Sequence, residues 1–393
     1  MSLPLPNEVK DYFSNHEEHI TQNLLITAEG IFAARTTNLN HVKDKLPNIL
    51  ENQSTTKPSS NYQRLIRFFN MDDEEKQELT KSLLCICFCI LGLKGCKPKY
   101  LALDGTSWEF GEKKIHLLTL SVVIGRVSIP ICWEDLDKKG TSNYNERKDL
   151  FDRACKWYDL EGMVLLADRE YIGRKWFKYL VSKGLDFVIR VKKNIYKDEV
   201  DTQREGYSRN FMHQKFRYIG MERKALQAKY RHCGVAKQIQ FEGDEQKYTF
   251  VIFKNPKKDP KEPLVYFIST LKRKKKIVQV YPIRWTIECC FKHLKSNGFN
   301  LEELNLKEPE KIKLMMAIVT FLYVLCIHEG LIAYKVVKKS DLKKYADGKV
   351  TLAVSVFRKG LSFVEGRFAN LRTFAKYLVD IIRAKKVPKW VHV

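Results

Sequence analysis

The sequence has no CxxC pair, no apolar run long enough to cross a bilayer and no leader-like start. Ten cysteines in a chain without a secretory start are read as reduced thiols rather than a disulfide framework. Cys85, Cys87 and Cys89 alternate within LLCICFCIL; without a CxxC partner they read as small apolar core residues rather than zinc ligands. The start MSLPLPNEVKDYF lacks a basic segment followed by an apolar one, so a cytoplasmic protein is expected. The longest apolar stretch, Leu314 to Ile327, falls short of the ~20 residues a helix needs to span a bilayer. It reads as a buried helix, as does Leu83 to Leu93, and no membrane-spanning segment is expected. Acidic residues are also scarce: 46 Asp and Glu stand against 70 Lys and Arg, a formal charge of +24 and a pI near 9.5. That excess favours a polyanionic partner, nucleic acid first and an anionic membrane surface second.

What is present is enough for a large folded protein. At 393 residues and 46.1 kDa, with 44% hydrophobic and 12% aromatic residues, the chain can hold two or three domains or one core with insertions. Residues 1–96 read as a helical, DNA-binding domain. ITQNLLITAEGIFAAR and NHVKDKLPNIL have helical periodicity, QSTTKPSSN is a linker, and Asp72 to Leu91 is a further helix. Between them Asn61 is expected to cap YQRLIRFFN, which sets Arg64 and Arg67 beside Tyr62, Phe68 and Phe69. Interleaved basic and aromatic residues suit contact with a DNA end, and they suit an ordinary amphipathic helix equally well.

From Lys97 the hydrophobic period changes to two. KYLALDGTSWEF is a strand carrying Asp104, and IHLLTLSVVIG with RVSIPICWEDL forms a hairpin turning near Gly125 and Arg126. A helix over NERKDLFDRACKWYDLEG, a strand MVLLA ending at Asp168, a helix RKWFKYLVSKG and a strand DFVIRVKKN complete a β-β-β-α-β-α-β order. That is the order of a ribonuclease-H-like core: an α/β fold with a mixed five-stranded sheet and helices on both faces. It spans 97–194 and brings Asp104 and Asp168 to one sheet edge, but it lacks the helix that would carry a third carboxylate. Residues 195–272 do not supply one. KALQAKYRHCGVAKQIQFE, KYTFVIFKN and PLVYFIST alternate like strands and read as a β-rich insertion of ~75 residues. The core resumes at 273–335, and 336–393 reads as a helical, basic C-terminal region.

The resumed core contains YPIRWTIECCFKHLK. As a helix with Pro282 in its first turn, it sets Tyr281, Arg284, Glu288 and Lys295 within an arc of about 60°, while Ile283, Ile287, Cys290, Phe291 and Leu294 form an apolar seam. By itself Arg284 with Glu288 reads as an ordinary exposed i,i+4 pair. Together with Asp104 and Asp168, however, Glu288 completes three carboxylates that repel unless a cation sits between them. Singly, Asp135 or Glu170 would be comparable candidates. Hard oxygen ligands call for Mg2+, with Mn2+ as a substitute, and two ions ~4 Å apart activate the attacking oxygen and stabilise the leaving oxygen of a phosphoryl displacement. Arg284 and Lys295 are then candidates to grip phosphates, and Tyr281 to stack or hydrogen-bond near a strand end.

These motifs resemble the bacterial insertion-sequence transposases of the DDE class, insertion-sequence-four type. Their signature Y-x2-R-x3-E-x6-K is matched by Tyr281, Arg284, Glu288 and Lys295 without a gap. LALDGT around Asp104 and LLADREYIG around Asp168 look like the two aspartate blocks, and the likeness runs from about residue 30 to 370. The resemblance implies double-stranded DNA as partner (transposon ends and target), a homodimer pairing two ends, and Mg-dependent strand cleavage and transfer by Asp104, Asp168 and Glu288. It adds Arg190, Lys192 and Lys193 as candidate DNA contacts. It also implies a tryptophan in the insertion that holds a flipped base, yet Trp108, Trp133, Trp157, Trp176, Trp285 and Trp390 all lie outside 195–272. Tyr207, Phe211, Phe216, Tyr218 and Tyr230 are the substitutes available there. Two other readings fit the same residues: a metal-dependent DNA nuclease or resolvase that cuts without joining, and a non-catalytic DNA-binding regulator.

Overall fold

The computed structural model describes residues 6–50, 57–92, 96–138, 140–202, 217–229, 234–255, 260–346, 348, 350–368, 370–383 and 385–392. Strands β1 (Tyr100–Phe110), β2 (Lys113–Ile124) and β3 (Val127–Asp135) form an antiparallel meander. Gly125 makes the β2–β3 turn at φ +61°, a conformation that costs a residue without Cβ little. β4 (Val164–Ala167) and β5 (Asp186–Val191) then add in parallel. The helix Tyr144–Trp157 connects β3 to β4, opened by a reciprocal cap between Asn143 and Glu146, and Arg174–Ser182 connects β4 to β5. These five strands and two helices follow the expected order.

The sheet does not stop at five strands. β6 (Val235–Gln240), β7 (Lys247–Lys254) and β8 (Leu264–Ser269) extend it to eight, in the order β3-β2-β1-β4-β5-β8-β7-β6. β8 lies antiparallel on β5, from Val188↔Ser269 to Val191↔Tyr266, and so supplies the hydrogen bonds that an open β5 edge would lack. All six residues of β8 are buried, as a strand covered on both faces should be. The β-rich segment is therefore built into the main sheet. Part of it is not strand: Lys224 to Gln227 belong to a helix, Arg217–Gln227, and among the described residues of that stretch Val235–Gln240 form the strand.

Three further readings are corrected. The helix carrying Arg64 and Arg67 is Pro58–Phe69, started by Pro58 in the first turn; Asn61 lies inside it, buried rather than capping. The segment after residue 336 is not wholly helical. β9 (Leu342–Lys344) and β10 (Val350–Leu352) form a separate two-stranded ribbon turning through Gly348 at φ +79°, before the helices Val356–Glu365 and Leu371–Ile382. The apolar helix runs from Pro309 to Ala333, past Leu314 and Ile327 at both ends, and by length and composition it could cross a membrane. It is a core helix all the same, with 78% of its most apolar window buried. It packs between the helices Asp73–Leu91 and Val356–Glu365, and Gly360 approaches so closely that an added Cβ would stand 1.7 Å from the Cys326 carbonyl oxygen. Cys87 and Cys89 are fully buried, and no disulfide joins the described cysteines.

Candidate active site at the carboxylate edge

The parallel register of β1 and β4 pairs Leu103 with Ala167, so Asp104 and Asp168 follow at the same level on adjacent strands. The third carboxylate arrives on a composite helix. Lys274–Val280 is α-helical, Tyr281–Arg284 tightens to a 3-10 turn around Pro282, and Trp285–Lys295 is α-helical again. Ile287, Cys290, Phe291 and Leu294 are buried as the seam predicted, and Ile283 is half-buried beside them. Ile287 and Phe291 pack on Ala102 and Val123 of β1 and β2, which fixes the helix over the strand carrying Asp104.

One guanidinium ties the three acids together. Arg284 Nη1 donates to Asp104 Oδ2 at 3.0 Å, Nη2 donates to Glu288, and Nη2 stands 4.0 Å from Asp168 Oδ2. Tyr281 donates its hydroxyl to Asp168 Oδ1 at 3.3 Å and packs its ring on Phe267 of β8 at 4.6 Å. Local N–H groups hold one oxygen of each aspartate: Asp104 Oδ1 accepts from the Gly105 N–H at 3.0 Å, and Asp168 Oδ1, the oxygen that also takes Tyr281, accepts from the Arg169 N–H at 2.8 Å. Burial pushes the Asp104 carboxyl up to about 6, against the pull of Arg284 and the Gly105 N–H and with Glu288 and Glu170 pushing the same way. Burial, then the charge of Asp168, raises the Tyr281 phenol far above its usual range, so it acts as a neutral donor.

The family comparison matches this stretch of chain: the family described as "Transposase DDE domain" covers residues 95–325, more than half of the sequence. The chain belongs to that family. A cryo-EM structure of the piggyBac transposase synaptic complex with hairpin DNA is similar at 13% identity and a TM-score of 0.42, covering 98% of this chain and 82% of that one. The likeness is too distant to transfer any residue's role. No curated protein matches.

Among the described residues no three His, Cys, Asp or Glu side chains stand at metal-binding spacing; around the carboxylates the Arg284 guanidinium stands between them. Its positive charge holds the position where a cation would balance the three acids. The donor set is nonetheless the one a hard divalent ion takes: carboxylate oxygens only, two from adjacent strand ends and one from a helix. In donor type Asp104, Asp168 and Glu288 suit Mg2+ or Mn2+, although around Arg284 they do not stand at binding spacing.

The remaining sequence candidates are dispersed. Lys295 stands away from the acids, donating to the Ser107 carbonyl at 2.8 Å and pairing with Glu302 at 2.7 Å. Arg190 is paired with Glu262 at 2.6 Å, and Glu262 also takes Arg169 at 2.8 Å. Lys192 and Lys193 are exposed, as are Arg64 and Arg67 on their separate helix. Asp135 is a turn carboxylate that accepts from the His116 and Asp137 N–H groups, and Glu170 is exposed, close enough to raise Asp104. Tyr218 is buried and stacked on Tyr266, so it cannot receive a base; Tyr207, Phe211, Phe216 and Tyr230 lie outside the described residues. Sequence reasoning missed Trp285. It follows Arg284 directly and is 56% exposed, whereas Trp108, Trp133, Trp157, Trp176 and Trp390 are all buried. Its position off the apolar seam was the available signal.

Proposed function

We propose that the protein is a DNA transposase of the insertion-sequence-four type, with a ribonuclease-H-like catalytic core that cuts transposon ends and joins them to target DNA. The observation carrying this reading is the single Arg284 guanidinium in reach of Asp104, Asp168 and Glu288, inside a region matching the transposase DDE family. Asp104, Asp168 and Glu288 would hold two Mg2+ ions, which polarise the scissile phosphate and lower the pKa of an attacking water.

The chain's own groups prepare that chemistry. Tyr281 orients Asp168 by its hydroxyl, and the Gly105 and Arg169 N–H groups fix one oxygen of each aspartate. Once its charge is no longer needed among the acids, Arg284 is placed to take a phosphate oxygen in a bidentate grip. Lys295 braces the helix end on β1 and, released from Glu302, would reach a phosphate on that flank. Trp285 offers an exposed ring for an unstacked base beside the cut. In the first step a water oxygen bonds to phosphorus as the bond to the 3′ oxygen breaks, leaving a 3′-OH. In the second that hydroxyl attacks a phosphorus of the target strand and displaces its 3′ oxygen. Two protomers, each holding one end, make the joining concerted.

The test uses labelled duplex carrying the ends that flank the protein's own gene, with Mg2+, comparing wild type with Glu288→Ala. Cleavage and joining to a target plasmid, both lost in the variant while the DNA is still bound, is the expected result. Cutting without joining would move the assignment to a nuclease or resolvase. Bound but uncut DNA with both proteins would leave only a DNA-binding regulator.

A further inference from the structure

We propose that the ribbon β9–β10 and the turn and 3-10 segment (Lys339–Asp341) leading into it form a second duplex-DNA contact, on the flank of the carboxylate site reached through the C-terminal end of the Trp285–Lys295 helix. The proposal rests on the DNA-transposase reading above, but not on any residue of the carboxylate site.

Charge and exposure set this segment apart. Between Tyr334 and Val354 the sequence has six lysines and two aspartates. Lys335, Lys338, Lys339, Lys343 and Lys344 are all exposed, and no ion pair between described residues engages them. Asp341 does not neutralise the ribbon: it accepts from the Lys338 N–H at 2.9 Å and faces Lys359 at 3.9 Å. The apolar residues are unusual too. Val336 is 74% exposed and Val350 53%, with Val337, Leu342 and Tyr345 also open to solvent. Among the described residues β9 and β10 pair only with each other, so each strand's outer edge offers backbone N–H groups as well as lysines. A two-stranded ribbon of this composition is a recurrent device for entering a DNA groove, with apolar side chains against bases or sugars and lysines on phosphates.

Basic and apolar residues together would also suit an anionic membrane. Position favours DNA. At the end of the Trp285–Lys295 helix, the His293 ring stacks on Phe357 at 4.4 Å, and Phe357 lies five residues after Leu352 of β10. Arg358 and Lys292 are exposed around this contact, and both sit close enough to act on His293. Exposed positive groups therefore run from Lys292 and Arg358 at this contact to the lysines of the ribbon. Five helical residues from Glu288 to His293 advance ~7.5 Å. Five extended residues from Phe357 back to Leu352 reach at most ~17 Å. With the ring contact and both ring side chains between them, the Leu352 end of the ribbon lies within about 40 Å of the carboxylates, or about twelve base pairs at ~3.4 Å each.

The experiment measures fluorescence anisotropy of the full-length protein on a ~30-base-pair duplex lacking the transposon ends, across a salt series. It compares wild type with K343Q/K344Q and, independently, K338Q/K339Q, after checking that melting temperatures are unchanged. Each pair of lysines should lower the slope of log K against log salt by about 1.8, and weaken binding at ~0.1 M salt on the order of tenfold or more. Equal slopes for both variants and wild type would overturn the ribbon contact while leaving DNA binding intact. A wild type that binds no duplex would sink the transposase reading itself. Unchanged slopes with loss of a dimer in sedimentation equilibrium would make the ribbon an interface between copies. Unchanged slopes with loss of binding to phosphatidylserine vesicles would make it a membrane contact. Either result also overturns the proposal.

Discussion

Replacing Arg284 by Gln removes the one cation among three acids and keeps most of the side chain's length. Arg284 and Asp104 are 11% and 16% exposed, so water screens their 3.0 Å pair poorly. At an effective dielectric of ~20, two unit charges at this distance interact by about 5 kcal/mol. Desolvation offsets much of that, and breaking one side of a buried pair costs about 3–5 kcal/mol in practice. Taking about 3 kcal/mol, with an unfolding entropy of ~2.1 cal/mol/K per residue, the variant should melt about 4 °C lower in EDTA. Divalent ions change the comparison. At a hundred times its dissociation constant, an ion that binds only the folded state adds about 2.7 kcal/mol. In wild type part of that gain is spent displacing the guanidinium; in Arg284→Gln nothing stands in the way. Thermal melts with and without Mn2+ should therefore show a larger metal-induced rise in the variant, closing most of the gap. A variant as stable as wild type in EDTA, or one that responds less to Mn2+, would refute the view of Arg284 as resident counter-charge.

Two predictions concern the scaffold. Glu29 is fully buried with no hydrogen-bond partner for either oxygen, and burial raises its carboxyl from an ordinary 4.5 to about 8. Below pH 4.5 folded and unfolded chains both hold the proton. Between 4.5 and 8 only the folded chain does, so stability should fall by about 1.4 kcal/mol per pH unit over that range. Denaturant midpoints of Glu29→Gln, measured from pH 5 to 9, should lack that part of the decline; parallel curves would show that the carboxyl titrates normally. Gly360→Ala drives a Cβ into the Cys326 carbonyl and should cost about 3 kcal/mol or more in urea unfolding. Gly366→Ala, whose Cβ meets nothing nearer than 3.9 Å, should leave the midpoint in place.

The sequence made the first five strands legible because their period-two patterns are long and their turns carry glycine, as at Gly125. It placed Asp104 and Asp168 together because two strand ends in parallel register leave little freedom. The seam of Ile287, Cys290, Phe291 and Leu294 oriented Glu288 correctly, although the first turn proved to be 3-10. Other features were not readable. That β8 would pair with β5 depends on sheet edges, which no local pattern encodes. Helical spacing put Lys295 on one face with Tyr281, Arg284 and Glu288, yet its actual partners, Ser107 and Glu302, are set by tertiary packing. Arg190 sits on a strand whose neighbour Glu262 comes from 72 residues away, so its charge could not be known to be paired. The β9–β10 ribbon was hidden by lysines that suit helix and strand alike.

The ion pair between Arg284 and Asp104 joins positions 180 residues apart, and that separation has a bearing on synthesis. β1, β4 and β5 can form while the rest of the chain is still being made, but they then present two carboxylates and no third. Glu288 arrives only with the Trp285–Lys295 helix, and the buried Pro309–Ala333 helix follows it. A nascent or prematurely terminated chain that ends before residue 285 thus lacks the third acid and its counter-charge together. Under the proposed function, cutting would be withheld until translation has delivered almost three quarters of the protein.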